Sequence, residues 1–204
     1  MRPDTMHTAV WKIGGSLFDL PGLAPRLTRM LSETAGQHVL LVPGGGPAAD
    51  VVRAWQRCTK IDDDIAHWLA IGALDFNARL LSAACPHTDA ITTPAEATHC
   101  WQRHRIPVLS PTTWLQHAEH EQNGLPHHWG VTSDSIAAWI AARWSFQQLV
   151  LFKSRALDGN TSVESAAARG LVDAHFPQVA RDVPRIAWCN LREESPQIVP
   201  WVTR

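Results

Sequence analysis

The sequence predicts an α/β fold built on a largely parallel sheet. Strand-like and helix-like segments alternate along the chain, several of the strand-like ones read as fully buried, and the first two each run into a glycine-rich turn that opens a helix. A chain of 204 residues, 45% of them hydrophobic, can fill one sizeable core. Chains of up to about 250 residues are commonly one domain, so residues 1–204 are read as a single unit.

His7–Ile13, rich in β-branched and aromatic residues, reads as the first strand and stops at Gly14-Gly15. Leu20, Leu23, Leu27, Met30 and Leu31 then recur at helical spacing, with Gly36 as a stop. His38–Val42 is a second buried strand, closed by Pro43-Gly44-Gly45-Gly46, and a helix follows from Pro47, where proline is tolerated in the first turn. Asp62, Asp63 and Asp64 open a long helix through Ile65, Trp68, Leu69 and Ala73; acidic residues suit that end because they complement the helix dipole. Ala90–Thr92 and Pro107–Leu109 read as short strands. His117–Trp129 is polar and irregular, a loop-like stretch suited to a lid or an acceptor-site wall. Ser133–Trp144 is a helix, Leu149–Lys153 a buried strand, Val163–Ala168 and Phe176–Val179 are helical, and Ile186–Trp188 is a last strand.

Chemistry concentrates in three segments. In Lys12-Ile13-Gly14-Gly15-Ser16, a lysine and two glycines sit at the carboxyl end of a strand, where open parallel sheets bind ligands. Glycines let backbone N–H groups approach an anion without Cβ interference. Taken alone, the pattern equally describes a tight turn with a solvated lysine. In Pro43-Gly44-Gly45-Gly46-Pro47 three successive glycines exceed what a turn requires, and the helix N-terminus behind them favours anions. No Lys-Ser/Thr follows at Walker A spacing, and the dinucleotide fingerprint is not met. In Val131-Thr132-Ser133-Asp134-Ser135, Ser133 or Asp134 is either a helix cap worth about 1 kcal/mol or a carboxylate that orients lysines around a transferred phosphoryl group.

Taken in order, these segments and Leu149-Val150-Leu151-Phe152-Lys153-Ser154 resemble the amino acid kinase family over residues 8–155. Asp64-Ile65-Ala66-His67-Trp68-Leu69-Ala70 and His128-Trp129-Gly130-Val131-Thr132-Ser133-Asp134-Ser135 are similar to the branch containing the aminomethylfuran methyl phosphate kinases of methanofuran biosynthesis. The resemblance implies a three-layer α/β/α sandwich, ATP and Mg²⁺ as cofactors, and a homo-oligomer. It implies that Lys12 contacts the transferring phosphoryl group and that Asp134 holds the catalytic lysines. Gly14, Gly15 and Ser16 would lie on the nucleotide phosphates, with Lys153 and Asp158 on the nucleotide side, and Gly44, Gly45 and Gly46 would border the acceptor. After the strand ending at Lys153 the family carries an Asp-Val-Asp-Gly-Val-Tyr-like stretch; here Lys153-Ser154-Arg155-Ala156-Leu157-Asp158-Gly159-Asn160 departs from it, Asp158-Gly159 being the nearest counterpart.

Further acceptor-side candidates come from residue chemistry. Asp62, Asp63 and Asp64 could hold an ammonium group, with Asp64 taken as the acceptor-side candidate; His67 shares the helix, and Arg53 could clamp a phosphate bidentately; each is also an ordinary helix-surface or buried residue. His117, His120, His127 and His128 have mixed spacing in a polar stretch, so no protein metal site is assigned.

Composition narrows the function classes. Net charge is −1 and no basic stripe interleaves with aromatics, which disfavours a nucleic-acid partner. No apolar run approaches the roughly 20 residues of a membrane helix, and the N-terminus lacks a long apolar stretch, so a cytoplasmic protein is expected. Cys58, Cys85, Cys100 and Cys189 have neither metal nor redox spacing and are read as reduced and mostly buried. The ten tryptophans follow no fixed period and are read as packing residues. The expected function is ATP-dependent phosphoryl transfer to a small acceptor bearing a phosphate or carboxylate. The competing reading is a non-catalytic nucleotide- or oxyanion-binding protein of the same fold.

Overall fold

The computed structural model describes residues 7–34, 36–121 and 124–204, with the side chains of residues 120 and 121 excluded, so the histidine at 120 lies outside the described side chains. Among the described residues seven strands form one sheet: β1 (Thr8–Ile13), β2 (His38–Pro43), β3 (Thr88–Ile91), β4 (Ile106–Leu109), β5 (Gln148–Lys153), β6 (Arg185–Asn190) and β7 (Val199–Thr203). Their order is β3-β4-β2-β1-β5-β6-β7, with every pairing parallel except β6 with β7. The helices are α1 (Leu23–Ser32), α2 (Gly46–Thr59), α3 (Asp63–Ala84), α4 (Pro94–Gln102), α5 (Thr112–Glu121), α6 (Ser133–Arg143), α7 (Val163–Ala168) and α8 (Phe176–Val179).

Side-chain alternation along the strands produces two core layers. Trp11, Ile13, Leu41, Val150 and Phe152 face a layer closed by Leu27, Met30 and Leu31 of α1 and by Ala78 and Leu81 of α3. Val10, Leu40, Val42, Leu149 and Leu151 face the other, filled by Ile136, Ala137 and Ile140 of α6. Lys12 shares the parity of Val10, and Lys153 that of Leu149 and Leu151, so both lysines point toward the α6 layer. Because β2 and β5 leave β1 in opposite directions, the carboxyl end of β1 is the switch point where open sheets leave a crevice.

Two expectations change and one element, α4, is added. The polar stretch from His117 is helical at its start: α5 anchors Leu115 in the core and packs Trp114 and Ala118 against it, an apolar face that overrides the polar composition. Helix α4 is specified by a capping box, in which the Thr93 hydroxyl accepts from Glu96 N and the Glu96 carboxylate accepts from Thr93 N. The last strand of the sheet is β7, which follows β6 and runs antiparallel to it.

Asp62 caps α3, its Oδ1 accepting from Ile65 N at 2.8 Å. Many tryptophans serve packing: Trp114 meets Trp139 and Trp144 with ring centroids 5.3 and 5.4 Å apart, and Trp188 and Trp201 meet edge to face; Trp55 is exposed and Trp129 lines a cavity. All four cysteines are free, with Cys58 exposed and the others buried. Among the described residues no helix is long and apolar enough to cross a membrane.

Candidate active site

The two glycine turns interlock. Gly14 N donates to Phe152 O at 2.8 Å and Gly44 N to Ile13 O at 2.7 Å, which draws the ends of β5, β1 and β2 together. A Cβ on Gly15 would lie 2.4 Å from Gly46 N, and one on Gly44 would lie 2.5 Å from Gly15 N. Gly46 also has φ +53, in the left-handed region that glycine occupies without strain. Only backbones free of side chains can pack this closely. Among the described residues, no group accepts from the N–H groups of Gly15, Gly45 and Gly46, which stand at the N-terminal end of α2 and beside it.

Asp134, in the first turn of α6, meets both lysines that the strand parity aims at it. Lys12 Nζ lies 2.8 Å from Oδ1 and Lys153 Nζ 2.7 Å from Oδ2; Lys12 and Asp134 are only 3% and 4% exposed. Lys153 also donates to Leu171 O at 2.7 Å. Burial works to raise the Asp134 pKa, but the two ammonium charges outweigh it and hold the carboxyl at about 2. Burial pulls Lys153 down to about 8, assisted by the Lys12 charge and opposed by Asp134. Two cations share one anion, so the cluster carries one surplus positive charge next to the glycine turns.

A cavity of about 450 Å³ opens onto this cluster. Its walls include Lys12, Gly14, Gly15, Ser16, Gly45, Gly46, Arg53, His67 and Lys153. The structure thus gathers nine of the residues singled out in the sequence around one space. Arg53 lies over the Trp129 ring at 4.4 Å and pairs with Asp50 at 2.8 Å. Trp129 in turn donates from Nε1 to Gln56. Ser16 meets Ser154 hydroxyl to hydroxyl at 2.9 Å. His67 is nearly buried; burial first, then the neighbouring His127, lowers its pKa to about 4. A second depression shares Lys153, Trp129 and Thr132 with the cavity and is bordered by Gly170, Leu171, Val172 and Asp173.

Residues 7–156 match the profile of the amino acid kinase family. The chain belongs to that family. One relative, the (5-(aminomethyl)furan-3-yl)methyl phosphate kinase of Methanocaldococcus jannaschii, is 27% identical over 147 residues, 72% of this chain and 64% of that protein. The chain therefore matches somewhat less than two thirds of that relative's length. The fold is also that of the uridylate kinase of Archaeoglobus fulgidus (TM-score 0.60, 18% identity, 88% of this chain and 89% of that one). The UMP kinase of Bacillus anthracis gives a TM-score of 0.63 at 16% identity, covering 94% of this chain and 98% of that one.

Within this amino acid kinase fold, four expected positions sit differently. Gly14 lines the cavity, but its N–H is bound to Phe152 O and is not available to an anion. Gly44 is absent from the cavity wall: its N–H goes to Ile13 O and its carbonyl accepts from Asn77, so it serves the interlock. Asp64 points away from the cavity, where its carboxylate bonds His127, and its neighbour Asp63 lines the wall instead. Asp158 is exposed and pairs with Arg169 at 2.9 Å, because the departing segment after β5 carries it out to solvent.

Two supporting residues escaped the sequence reading. Asn77, 3% exposed on α3, donates from Nδ2 to Gly44 O at 2.7 Å and Gly45 O at 2.8 Å, fixing the second glycine turn. An amide amid the apolar residues of a long helix was the available signal. Asp173 accepts from Thr132 N at 3.0 Å, Ser135 N at 2.9 Å and Phe176 N at 3.0 Å, capping α6 and α8 together. Nothing in its local sequence distinguishes it.

Proposed function

We propose that this protein is a small-molecule kinase that transfers the γ-phosphoryl group of ATP to a small acceptor bearing a phosphate or carboxylate. The observation that carries the reading is the pair of lysine ammoniums held on the two oxygens of buried Asp134, beside glycine N–H groups and facing a cavity. Phosphoryl transfer asks a protein chiefly to align two oxygens and to neutralise equatorial charge. The surplus positive charge at Lys12 and Lys153, and the free N–H groups of Gly15, Gly45 and Gly46, supply that neutralisation. Asp134 fixes both ammoniums and takes no proton. With both its oxygens occupied, Asp134 is not an open metal ligand, so Mg²⁺ would arrive on the nucleotide phosphates.

The nucleotide would extend over Lys153 toward the depression at Gly170–Asp173, and the acceptor would occupy the cavity bounded by Arg53, Asp63 and His67. Acidic Asp63 and cationic Arg53 on one wall suit an acceptor that carries both an ammonium and a phosphate. An aminomethylfuran phosphate has that pattern, and the 27% identical relative is named for such a compound.

We also propose a homo-oligomer. Ile65, Leu69, Phe76 and Leu80 form an exposed stripe on α3, continued by Val51 and Trp55 of α2, each between 46% and 62% exposed. Gly72 lies within the stripe, and a Cβ there would meet nothing, leaving room for a second helix to approach closely.

Phosphorus NMR of Mg-ATP with candidate acceptors, beginning with aminomethylfuran phosphates, tests the reaction. A new phosphorus resonance that appears as ATP declines supports it. Thermal stabilisation by Mg-ATP with no consumption across the panel would move the assignment to oxyanion binding without catalysis.

A further inference from the structure

At the cavity wall formed by His67, three elements bring together donor atoms of which the phosphoryl-transfer reading uses only His67, as part of the acceptor wall. Asp64 and His67 lie one turn apart on α3, Glu119 near the end of α5, and His127 on the irregular segment that follows. His127 Nε2 is 3.0 Å from Glu119 Oε2, and its Nδ1 is bonded to the Asp64 carboxylate. The His67 and His127 rings stack with centroids 4.0 Å apart and planes 11° from parallel. One ligand atom each from His67, Glu119 and His127 fall within 4.8 Å of one another. His67 is 8% exposed, and its Nε2 has no hydrogen-bond partner among the described residues.

We propose that His67, Glu119 and His127 form a binding site for a divalent transition-metal ion of the zinc class. Two imidazoles and a carboxylate make the donor set that zinc and cobalt(II) take, with a remaining position left to water. The Asp64–His127 bond is the second element: metal-bound histidines usually donate their other ring N–H to a carboxylate, which fixes the tautomer and aims the free nitrogen at the ion. A buried polar nitrogen without a partner costs about 1–3 kcal/mol, and coordination would give His67 Nε2 one. Gly124 adds to the fit, since a Cβ there would lie 2.6 Å from Glu119 Cγ; the chain can fold back over Glu119 only because residue 124 lacks one.

Without metal, the 3.0 Å His127–Glu119 contact holds a proton between ring nitrogen and carboxylate. The ion takes its place: M²⁺ binds to Nε2 of both histidines and to the Glu119 carboxylate, and that proton is released to solvent. The two rings must leave their parallel stack for both nitrogens to meet one ion. His127 is the one free to turn, because no helix holds its backbone. The bound ion would tie α5 and the segment bearing His128 and Trp129 to α3, and so fix the acceptor side of the cavity.

Chelator-treated protein, free of nucleotide, is titrated with zinc chloride by calorimetry and with cobalt(II) by visible absorption. One equivalent of zinc should bind and raise the melting temperature, and cobalt(II) should show the strong d–d bands of a four-coordinate site. His127→Ala and Glu119→Gln should each remove these signals, and Asp64→Asn should weaken zinc binding about 10–100-fold by loosening the ring. His99→Ala, on the exposed face of α4, should change nothing. Circular dichroism confirms that each variant is folded, and if His127→Ala is not, the isosteric Glu119→Gln and Asp64→Asn variants decide. Absence of stoichiometric zinc binding in the wild type, zinc binding indifferent to the Glu119 and Asp64 substitutions, or equal loss in His99→Ala would overturn the proposal. Because the readout needs no nucleotide, its failure leaves the kinase reading standing.

Discussion

The backbones of Gly15 and Gly46 lie so close that a single methyl group on Gly15 would sit 2.4 Å from the Gly46 nitrogen. Both glycines line the cavity, and neither neighbour can yield, because the obstructing atoms are main chain held at the ends of adjacent parallel strands. Gly15→Ala should therefore destabilise the fold by about 3 kcal/mol or more, a strong case of overpacking. Gly159→Ala, where a Cβ meets nothing within 4 Å, should leave the urea midpoint in place. Equal midpoints for the two variants would refute the interlock.

Asn77 tests the second turn from beneath. Asn77→Asp replaces the amide donor that reaches the Gly44 and Gly45 carbonyls with an acceptor facing two acceptors. A loss of about 3 kcal/mol in chemical denaturation is expected, near the upper end for an unsatisfied buried group.

Lys12 and Asp134 should separate function from stability. In Lys12→Ala, Lys153 still neutralises Asp134, so the melting temperature should fall only modestly while turnover drops about 100–1000-fold, as for loss of one transition-state donor. Asp134→Ala leaves two neighbouring buried ammoniums without their anion and should cost about 3–5 kcal/mol of stability. Lys12→Ala turnover within a few-fold of wild type would remove Lys12 from the mechanism.

The pH profile should report Lys153. Its pKa of about 8 means that half of the ammonium is deprotonated at that pH, so kcat/KM should fall as pH rises through 8, and Lys153→Arg should abolish that limb at reduced activity. Stability has the opposite sign: between about 8 and the ordinary 10.5 the unfolded chain binds the extra proton, so Lys153 makes stability rise with pH across that window. Asp134, held near 2 against an ordinary 3.8, contributes stability above about 3.8 that is lost as pH falls toward 2. Thermal melts and initial rates over the same pH series check all three.

The exposed stripe on α3 should be an interface between copies of this chain. Phe76→Glu, at a position 62% exposed, should lower the solution mass measured by sedimentation while leaving the circular dichroism spectrum unchanged. A wild-type protein that sediments as a monomer at micromolar concentration would rule the interface out.

Much of this architecture was local, and the sequence by itself determined it. Buried runs such as His38–Val42, the glycine pairs and triplets that end the first two strands, and the acidic opening of α3 each act within a few residues, through backbone freedom, side-chain period and helix-end charge. Those signals placed Lys12 at a strand's carboxyl end and Asp134 at a helix start. The tertiary structure decided what converges. Strand parity and the β1–β5 register turn Lys12 and Lys153 toward one carboxylate, packing carries helix α5 into the polar stretch from His117, and the three aspartates 62–64 divide into a cap, a cavity wall and a partner for His127. Asn77 and, in its bonds to α6, Asp173 acquire their roles from carbonyls and amides more than 30 residues away, so no short window of the chain could encode those contacts; they exist only once the sheet has set the distances.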